Sequence, residues 1–284
     1  MAENIKESIK NKDLLSNKRL AYIDMGLSLN SIDNLSPSHY FIDLSKRFIN
    51  NEFEYEEFES LLKTYYNNQD LSNIDIQKEK ECDFVTLRIS KLLEDSSFFL
   101  SPLSLKNIHL FLYRNIFPFA GNYRKTPIFQ KEDILSNNII YFVSTQDISC
   151  CLKDIFENEF SFNFSTMNTD DIINHFSNFL SRVWEIHPFL KGNTISICIY
   201  FLKYFYHLGF DPNIQLIVDN SIYLKNSLIR SIYNDFPNGI YANPSFLISF
   251  LENLLYSKNN ILNNDDLYLK NHFKLSVKIA KFSQ

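Results

Sequence analysis

The sequence predicts a mostly α-helical bundle interrupted by one small β-hairpin. Three observations carry that prediction. Only five Gly and eight Pro occur in 284 residues, too few turn formers for a many-stranded sandwich or a Gly-rich linker array. Apolar residues recur at helical spacing over nearly the whole chain. One stretch, residues 124–142, breaks that period with two short β-type runs around a polar tip. Hydrophobic residues make up 45% of the chain, enough for one large domain or two modest ones with a real core.

Leu20, Ile23, Met25 and Leu27 belong to a first amphipathic stretch. Ser36-Pro37-Ser38 offers a cap, with Pro at an early helical position, to a second helix carrying Tyr40, Phe41, Leu44 and Phe48. Phe53, Phe58, Leu61 and Leu62 mark a third, so residues 1–68 read as a small helical module. Tyr66 to Lys80 has the character of a linker or an exposed helix start. Helical spacing returns at Phe84, Leu87, Leu92 and Leu93, and again at Leu105, Ile108, Leu112 and Ile116 after the Ser101-Pro102 start. Thr126 to Phe129 and Ile139 to Phe142 form the hairpin, with Ser136-Asn137-Asn138 at its tip. Helices resume at Ile148 to Phe156 and, just after Thr169-Asp170-Asp171, at Ile172 to Val183. Ile195 to Phe205 is apolar on almost every side, as a helix in the middle of a bundle must be. Two or three further helices run to about Leu255. An Asn/Asp-rich break at Asn259 to Asp266 then separates a main domain, residues 84–257, from a polar linker and tail, residues 258–284.

The composition also excludes. A formal net charge of −5 with no long Lys/Arg stripe argues against a nucleic-acid partner. Cys82, Cys150, Cys151 and Cys198 form no CxxC pair and have no His at zinc spacing, so the expectation is buried, reduced thiols with neither a metal site nor a disulfide framework. The N-terminus lacks the apolar core of a signal peptide. The most apolar run, Ile195 to Phe205, is broken by Lys203 and too short to span a bilayer, which points to a cytoplasmic protein with no membrane association. His39, His109, His175, His207 and His272 have no companion at ligand spacing and read as surface or core residues.

Ile186-His187-Pro188-Phe189-Leu190-Lys191-Gly192-Asn193 lies between two strongly helical segments, so it forms a turn whose exit is a helix N-terminus. Gly192 followed by Asn193 supplies the left-handed geometry of an anion-binding nest, with successive backbone N–H groups aimed at one phosphate. A histidine beside such a nest is suited to take a proton from an attacking hydroxyl while the amides hold the charged group being displaced. A purely structural loop histidine is the alternative that this spacing leaves open.

This loop resembles that of the Fic (filamentation induced by cAMP) family, which reads HPFx[D/E]GNGRxxR. Ile116-Phe117-Pro118-Phe119-Ala120-Gly121-Asn122-Tyr123-Arg124 resembles the family's second landmark, an aromatic-Ala-Gly turn ending in Arg. The order of landmarks agrees as well: helix, turn, hairpin, helix, then the loop and its buried helix. The resemblance covers about Phe84 to Leu255 and implies a Fic-type helical bundle with a small β-hairpin flap. It implies transfer of a nucleotide moiety, usually AMP from ATP, to a hydroxyl of a target protein docked at the flap, residues 126–142. His187 would be the base, and Gly192, Asn193 and Thr194 would bind phosphate.

The match is partial. Lys191 stands where the family carries Asp or Glu, Thr194 replaces Gly, and Ile195 and Cys198 replace the two Arg. By resemblance the acidic residue holds Mg²⁺ and the arginines clamp the polyphosphate. ATP or another nucleotide is therefore expected as donor, but neither Mg²⁺ nor ordinary AMP transfer. A carboxylate with Mg²⁺ sums to one positive charge, which Lys191 supplies by itself, so a metal-free donor complex is one expectation and a solvated loop lysine the other. Thr194 is also a candidate cap for the following helix.

Many Fic proteins are held inactive by a helix carrying [S/T]xxxE[G/N]. Residues 1–68 resemble the family's small antitoxin partners, most visibly from Ser36 to Leu62, and Leu29-Asn30-Ser31-Ile32-Asp33-Asn34 stands at the place of the inhibitory segment. Asp33 and Asn34 are thus candidate inhibitory residues, although Cys198 cannot form the expected ion pair with Asp33; a simple helix end is the alternative. Two functions compete. One is a non-standard, toxin-like nucleotidyltransferase. The other is a catalytically inactive protein that binds another Fic protein, an antitoxin or a cellular target.

Overall fold

A computed structural model describes residues 2–269. In chain order it contains α1 (Ala2–Ser31), α2 (His39–Ile49), α3 (Tyr55–Asn67), α4 (Ile74–Glu94), α5 (Pro102–Tyr113), β1 (Phe129–Lys131), β2 (Ile139–Tyr141), α6 (Ile148–Phe160), α7 (Thr169–Ile186), α8 (Asn193–His207), α9 (Ile214–Ile232) and α10 (Ser245–Tyr256). The fold is mostly helical with a small two-stranded antiparallel sheet, β1 pairing with β2 in the register Phe129 to Tyr141.

The bundle is organised around α8. Every residue from Ile195 to Phe205 is buried, and the aromatic side chains of Phe201, Tyr204 and Phe205 meet Phe176 and Phe179 of α7. Lys203, the one charge in this run, is accommodated because its ammonium donates to the carbonyls of Leu92, at 2.6 Å, and Asp95, closing the C-terminus of α4.

A second, smaller apolar cluster gathers Phe41 and Phe48 of α2, Phe58 of α3, Ile23 of α1, and Phe84 and Leu87 of α4. Tyr22, Met25 and Leu29 of α1 and Val85 and Ile89 of α4 belong instead to the main core. The N-terminal helices are therefore joined to the bundle through two helices that serve both clusters. Their crossing is close: a Cβ on Gly26 would come within 2.8 Å of Thr86. Arg88 of α4 adds a polar join, donating to the carbonyls of Leu112 and Arg114 at 2.8 and 2.9 Å and pairing with Glu59 of α3 at 3.2 Å.

Several local expectations are corrected. The first stretch is one helix of 30 residues, and Leu20 is exposed on it. Ser38 caps α2, its hydroxyl accepting from the Phe41 N–H, so Pro37 precedes the helix instead of occupying its first turn. The segment from Tyr66 to Lys80, expected as a linker or an exposed helix start, holds the end of α3, a short connection and the largely exposed start of α4, in line with that reading. The first hairpin strand lies at Phe129–Lys131, beyond Thr126, because a 3₁₀ turn at Asp133–Leu135 buries Ile134 and Leu135 and shifts the register. α7 begins at Thr169 itself, capped by Asn168. Cys82 and Cys198 are buried, but Cys150 is exposed and Cys151 half-buried. After α10 the polar stretch packs where it meets the bundle: Leu267 is fully buried and the Leu269 N–H donates to the Ile134 carbonyl at 2.8 Å. The tail beyond Leu269, with His272, lies outside the described residues. Among the described residues no helix is long and apolar enough to cross a membrane.

Candidate functional site

The loop between α7 and α8 is a hydrogen-bonded frame that presents one imidazole. His187 ends α7 in the left-handed region, φ 47°, and its Nδ1 lies 2.9 Å from the Trp184 carbonyl. A carbonyl can only accept, so Nδ1 carries the proton and Nε2 is left as the lone-pair nitrogen. Phe142 stacks on the ring with centroids 3.8 Å apart. The residue is 2% exposed, and burial pushes its pKa down to about 3, with Arg124 and Lys225 acting in the same direction against the Trp184 hydrogen bond. The imidazole is therefore neutral at ordinary pH.

Asn193 closes the loop from the other side. Its Oδ1 accepts from the Phe189 N–H at 2.8 Å and its Nδ2 donates to the Phe189 carbonyl at 2.7 Å. Both ends of that amide are held by the Phe189 backbone, so the side chain braces the loop. Gly192 is the residue in the left-handed region, φ 74°; Asn193 is already helical, which corrects the expected pairing. A Cβ at Gly192 would lie 2.3 Å from the Tyr113 ring, so no other residue fits there. Gly192 is the cap position of α8, and Thr194 sits inside the first turn with its hydroxyl 3.3 Å from the Trp184 Nε1–H that donates to it. First-turn amides at Asn193, Thr194 and Ile195 have no intrahelical acceptor by geometry and carry the positive end of the helix dipole.

Two residues to which the sequence reading gave no role in the site hold this frame in place. Arg124 is buried and binds carbonyls only: Nε donates to His187 at 2.8 Å and Nη2 to Ile186 at 3.2 Å and to Val143, while its N–H donates to Pro188 at 2.8 Å. It ties the loop to the hairpin. His109 accepts from the Gly121 N–H at Nδ1, 2.8 Å, and reaches the Lys191 carbonyl with Nε2 at 3.0 Å, which makes Nε2 the protonated nitrogen. It stacks on Phe189 at 3.8 Å, and burial lowers its pKa to about 4. Arg124 was visible in the sequence as the end of a turn. His109 gave no signal, because its partners lie in two loops that only the fold brings together.

His187, Gly192, Asn193 and Thr194 open onto a cavity of about 750 Å³. Its other walls come from the turn after α1 with Asp33 and Asn34, from α4 with Glu81, from the hairpin with Gln130 and from α9 with Lys225. Gln130 Oε1 is buried with no hydrogen-bond partner among the described residues. Asp33 and Asn34 do end a helix: Asn34 is left-handed, φ 57°, and its N–H donates to the Ser31 carbonyl at 3.0 Å. Asp33 also faces the cavity, where burial raises its pKa against the opposing charges of Lys225 and Lys191. Lys191 is exposed, with its ammonium 5.2 Å from the centre of the Phe117 ring.

The two remaining altered positions turn away. Ile195 is part of the main core, and Cys198 lies among Leu180, Phe201, Leu224 and Leu251, where burial pushes its thiol up to about 12. Neither side chain lines the cavity. Among the described residues no group of three or more His, Cys, Asp or Glu could hold a metal ion.

Comparison with known proteins gives the fold a family likeness. No protein-family model matches the sequence, and no curated protein matches it. Solved structures do. The N-terminal Fic domain of Bep8, a VirB-translocated effector from Bartonella sp. 1-1C, aligns with a TM-score of 0.53 at 16% identity over 66% of this chain and 88% of that one. The N-terminal Fic domain of a Bartonella effector protein from Bartonella sp. AR 15-3 aligns at 0.53 and 18% identity over 69% and 91%. BepC from Bartonella tribocorum, solved with bound AMPPNP, aligns at 0.51 and 15% identity over 65% and 88%. The chain has a Fic-type fold.

Proposed function

We propose that the cavity binds a nucleotide through its phosphates and that His187 promotes transfer of a nucleotide moiety, AMP or another, to a hydroxyl of a target protein docked at the hairpin, residues 126–142, with a toxin-like effect on growth. The single observation that carries this reading is the state of His187. Its Nδ1 is committed to Trp184 and its neutral ring lines the cavity beside the N-terminus of α8, leaving Nε2 to accept a proton. In the reaction the target hydroxyl would lose its proton to Nε2 as its oxygen bonds to the α-phosphorus. The bond from that phosphorus to the bridging oxygen breaks, and the remaining phosphates leave. An anionic ligand next to the ring offsets the burial and the cationic neighbours that hold its pKa down, so binding the nucleotide strengthens the base. A cavity of about 750 Å³ suits a ligand of nucleotide size. A relative of the same fold, BepC, was solved with bound AMPPNP.

A second reading, binding without chemistry, is favoured by one observation: Ile195 and Cys198 leave α8 no cation to clamp a leaving group. Expression of the intact chain in bacteria against His187→Ala at matched soluble levels, with intact-mass analysis of cellular proteins, separates the two. Growth arrest and a nucleotide-sized mass shift that both vanish with the imidazole support transfer. Arrest that persists in His187→Ala with no mass shift supports the inactive, partner-binding reading, with another Fic protein, an antitoxin or a cellular target as its partner.

A further inference from the structure

The first turns of α8 bring no cationic side chain to the cavity, and its cations come from other elements. Lys78 and Lys80 line it from α4, Lys191 from the loop and Lys225 from α9, against two carboxylates, Asp33 and Glu81. Two of these ammoniums converge. Lys225 and Lys191 both act electrostatically on Asp33, and Lys225 acts on His187 as well, so their fields overlap between the imidazole and the end of α1. Lys225 is not a free surface lysine: Glu132 of the hairpin holds its Nζ at 3.2 Å, and the side chain is only 23% exposed. Asp33, the carboxylate they face, makes no ion pair within 4.0 Å among the described residues, so within the cavity Lys225 is balanced at close range by Glu132 and Lys191 by no carboxylate.

A divalent cation does not fit these surroundings. Mg²⁺ takes hard oxygen ligands in near-octahedral geometry, usually through one or two carboxylates and the substrate phosphates. Lys191, a cavity-lining residue immediately before Gly192, brings an ammonium that repels the ion. The cavity's carboxylates, Asp33 and Glu81, both lie in the field of Lys191.

We infer that the cavity holds a nucleoside polyphosphate through Lys191 and Lys225 without a divalent cation, the phosphate clamp lying on the loop before α8 and on α9. This rests on the nucleotide-binding reading above and specifies its charge chemistry. The α8 N-terminus supplies backbone donors to one phosphate, and the two ammoniums neutralise the phosphates next to it, as point charges that need no fixed fork geometry. Mg²⁺ in solution then competes with the protein for the ligand, because it cancels negative charge that the lysines would otherwise meet.

Calorimetric titration of the full chain with ATP, and separately with inorganic tripolyphosphate, in EDTA and in excess Mg²⁺ tests this. The expected result is binding of both in EDTA, weakened about threefold or more by Mg²⁺, and weakened about tenfold or more by Lys191→Met or Lys225→Met. Lys191→Arg is expected to retain binding and Lys191→Asp to lose it, which separates a charge requirement from loss of the fold. ATP binding that appears only with Mg²⁺ overturns the metal-free clamp and leaves the nucleotide reading standing. Binding that ignores both lysine substitutions overturns the lysine assignment alone. Absence of ATP binding under both conditions, in folded protein, overturns the nucleotide reading and this inference with it.

Discussion

The loop from His187 to Asn193 and the opening turns of α8 meet at Gly192, yet they are built differently. In the loop the backbone is tied down at several points. Arg124, His109 and Asn193 satisfy its carbonyls and amides, Tyr113 packs against Gly192, and Phe142 and Phe189 are stacked on the two buried imidazoles. In the opening turns of α8 the side chains at 195 and 198 are apolar or a neutral thiol and enter the core. The difference teaches that the shape of this loop does not depend on charged residues in the helix behind it. The backbone is held from the hairpin side, so the helix face can change its chemistry while the N–H groups and the imidazole keep their places.

Five predictions sharpen or break that comparison. The largest effect is expected from Cys198→Arg. An arginine there would meet Leu180, Phe201 and Leu251 with no carboxylate partner, at a cost of about 5 kcal/mol or more. The checks are soluble yield and thermal melting; a variant that folds normally would show that position 198 can swing to the cavity. Next is Arg124→Met, which strips the donors from the carbonyls of Ile186, His187 and Val143 and should cost about 4 kcal/mol in urea unfolding, far more than a surface Arg. An unchanged midpoint would mean the loop is self-supporting.

Gly192→Ala combines positive φ with a clash on Tyr113 and should cost about 3 kcal/mol. A double-mutant cycle with Tyr113→Leu isolates the steric share, and zero coupling would assign the whole loss to the backbone. Acid should act on the same frame. His109 and His187 have folded pKa values lowered from 6.5 to about 4 and about 3, so the unfolded chain binds more protons in that window and stability is lost as pH falls below about 6.5. Between about pH 7 and 5 each histidine should cost about 2 kcal/mol, and His109→Gln should flatten the slope measured by urea midpoints. The smallest effect, about 1 kcal/mol, is expected for Thr194→Val, which removes the hydroxyl that accepts from Trp184 Nε1. A larger loss would make Thr194 part of the frame.

Much of the fold was legible from local signals. Ser101-Pro102 does start α5, with Ser101 as cap and Pro at the first turn, because capping is written within a few residues. The apolar run of α8, broken only by Lys203, read correctly as a central helix, because burial on all sides leaves no polar stripe. The hairpin was found but its first strand misplaced, since Ile134 and Leu135 are drawn inward by the core in a 3₁₀ turn that no local pattern announces. Asn193 was recognised as part of the loop, but the spacing did not show that its side chain serves the Phe189 backbone.

What the sequence by itself determined is the identity of the loop and of the helices that bracket it, because periodicity, caps and one glycine act over distances shorter than a helix turn. Tertiary structure alone decided the electrostatics. Lys225 is 34 residues beyond Lys191 and Asp33 lies near the other end of the chain, yet the three share one cavity. Charges interact through space with a reach of several ångströms and no sequence period, so only the packing of α1, α4 and α9 around the loop establishes which of them meet.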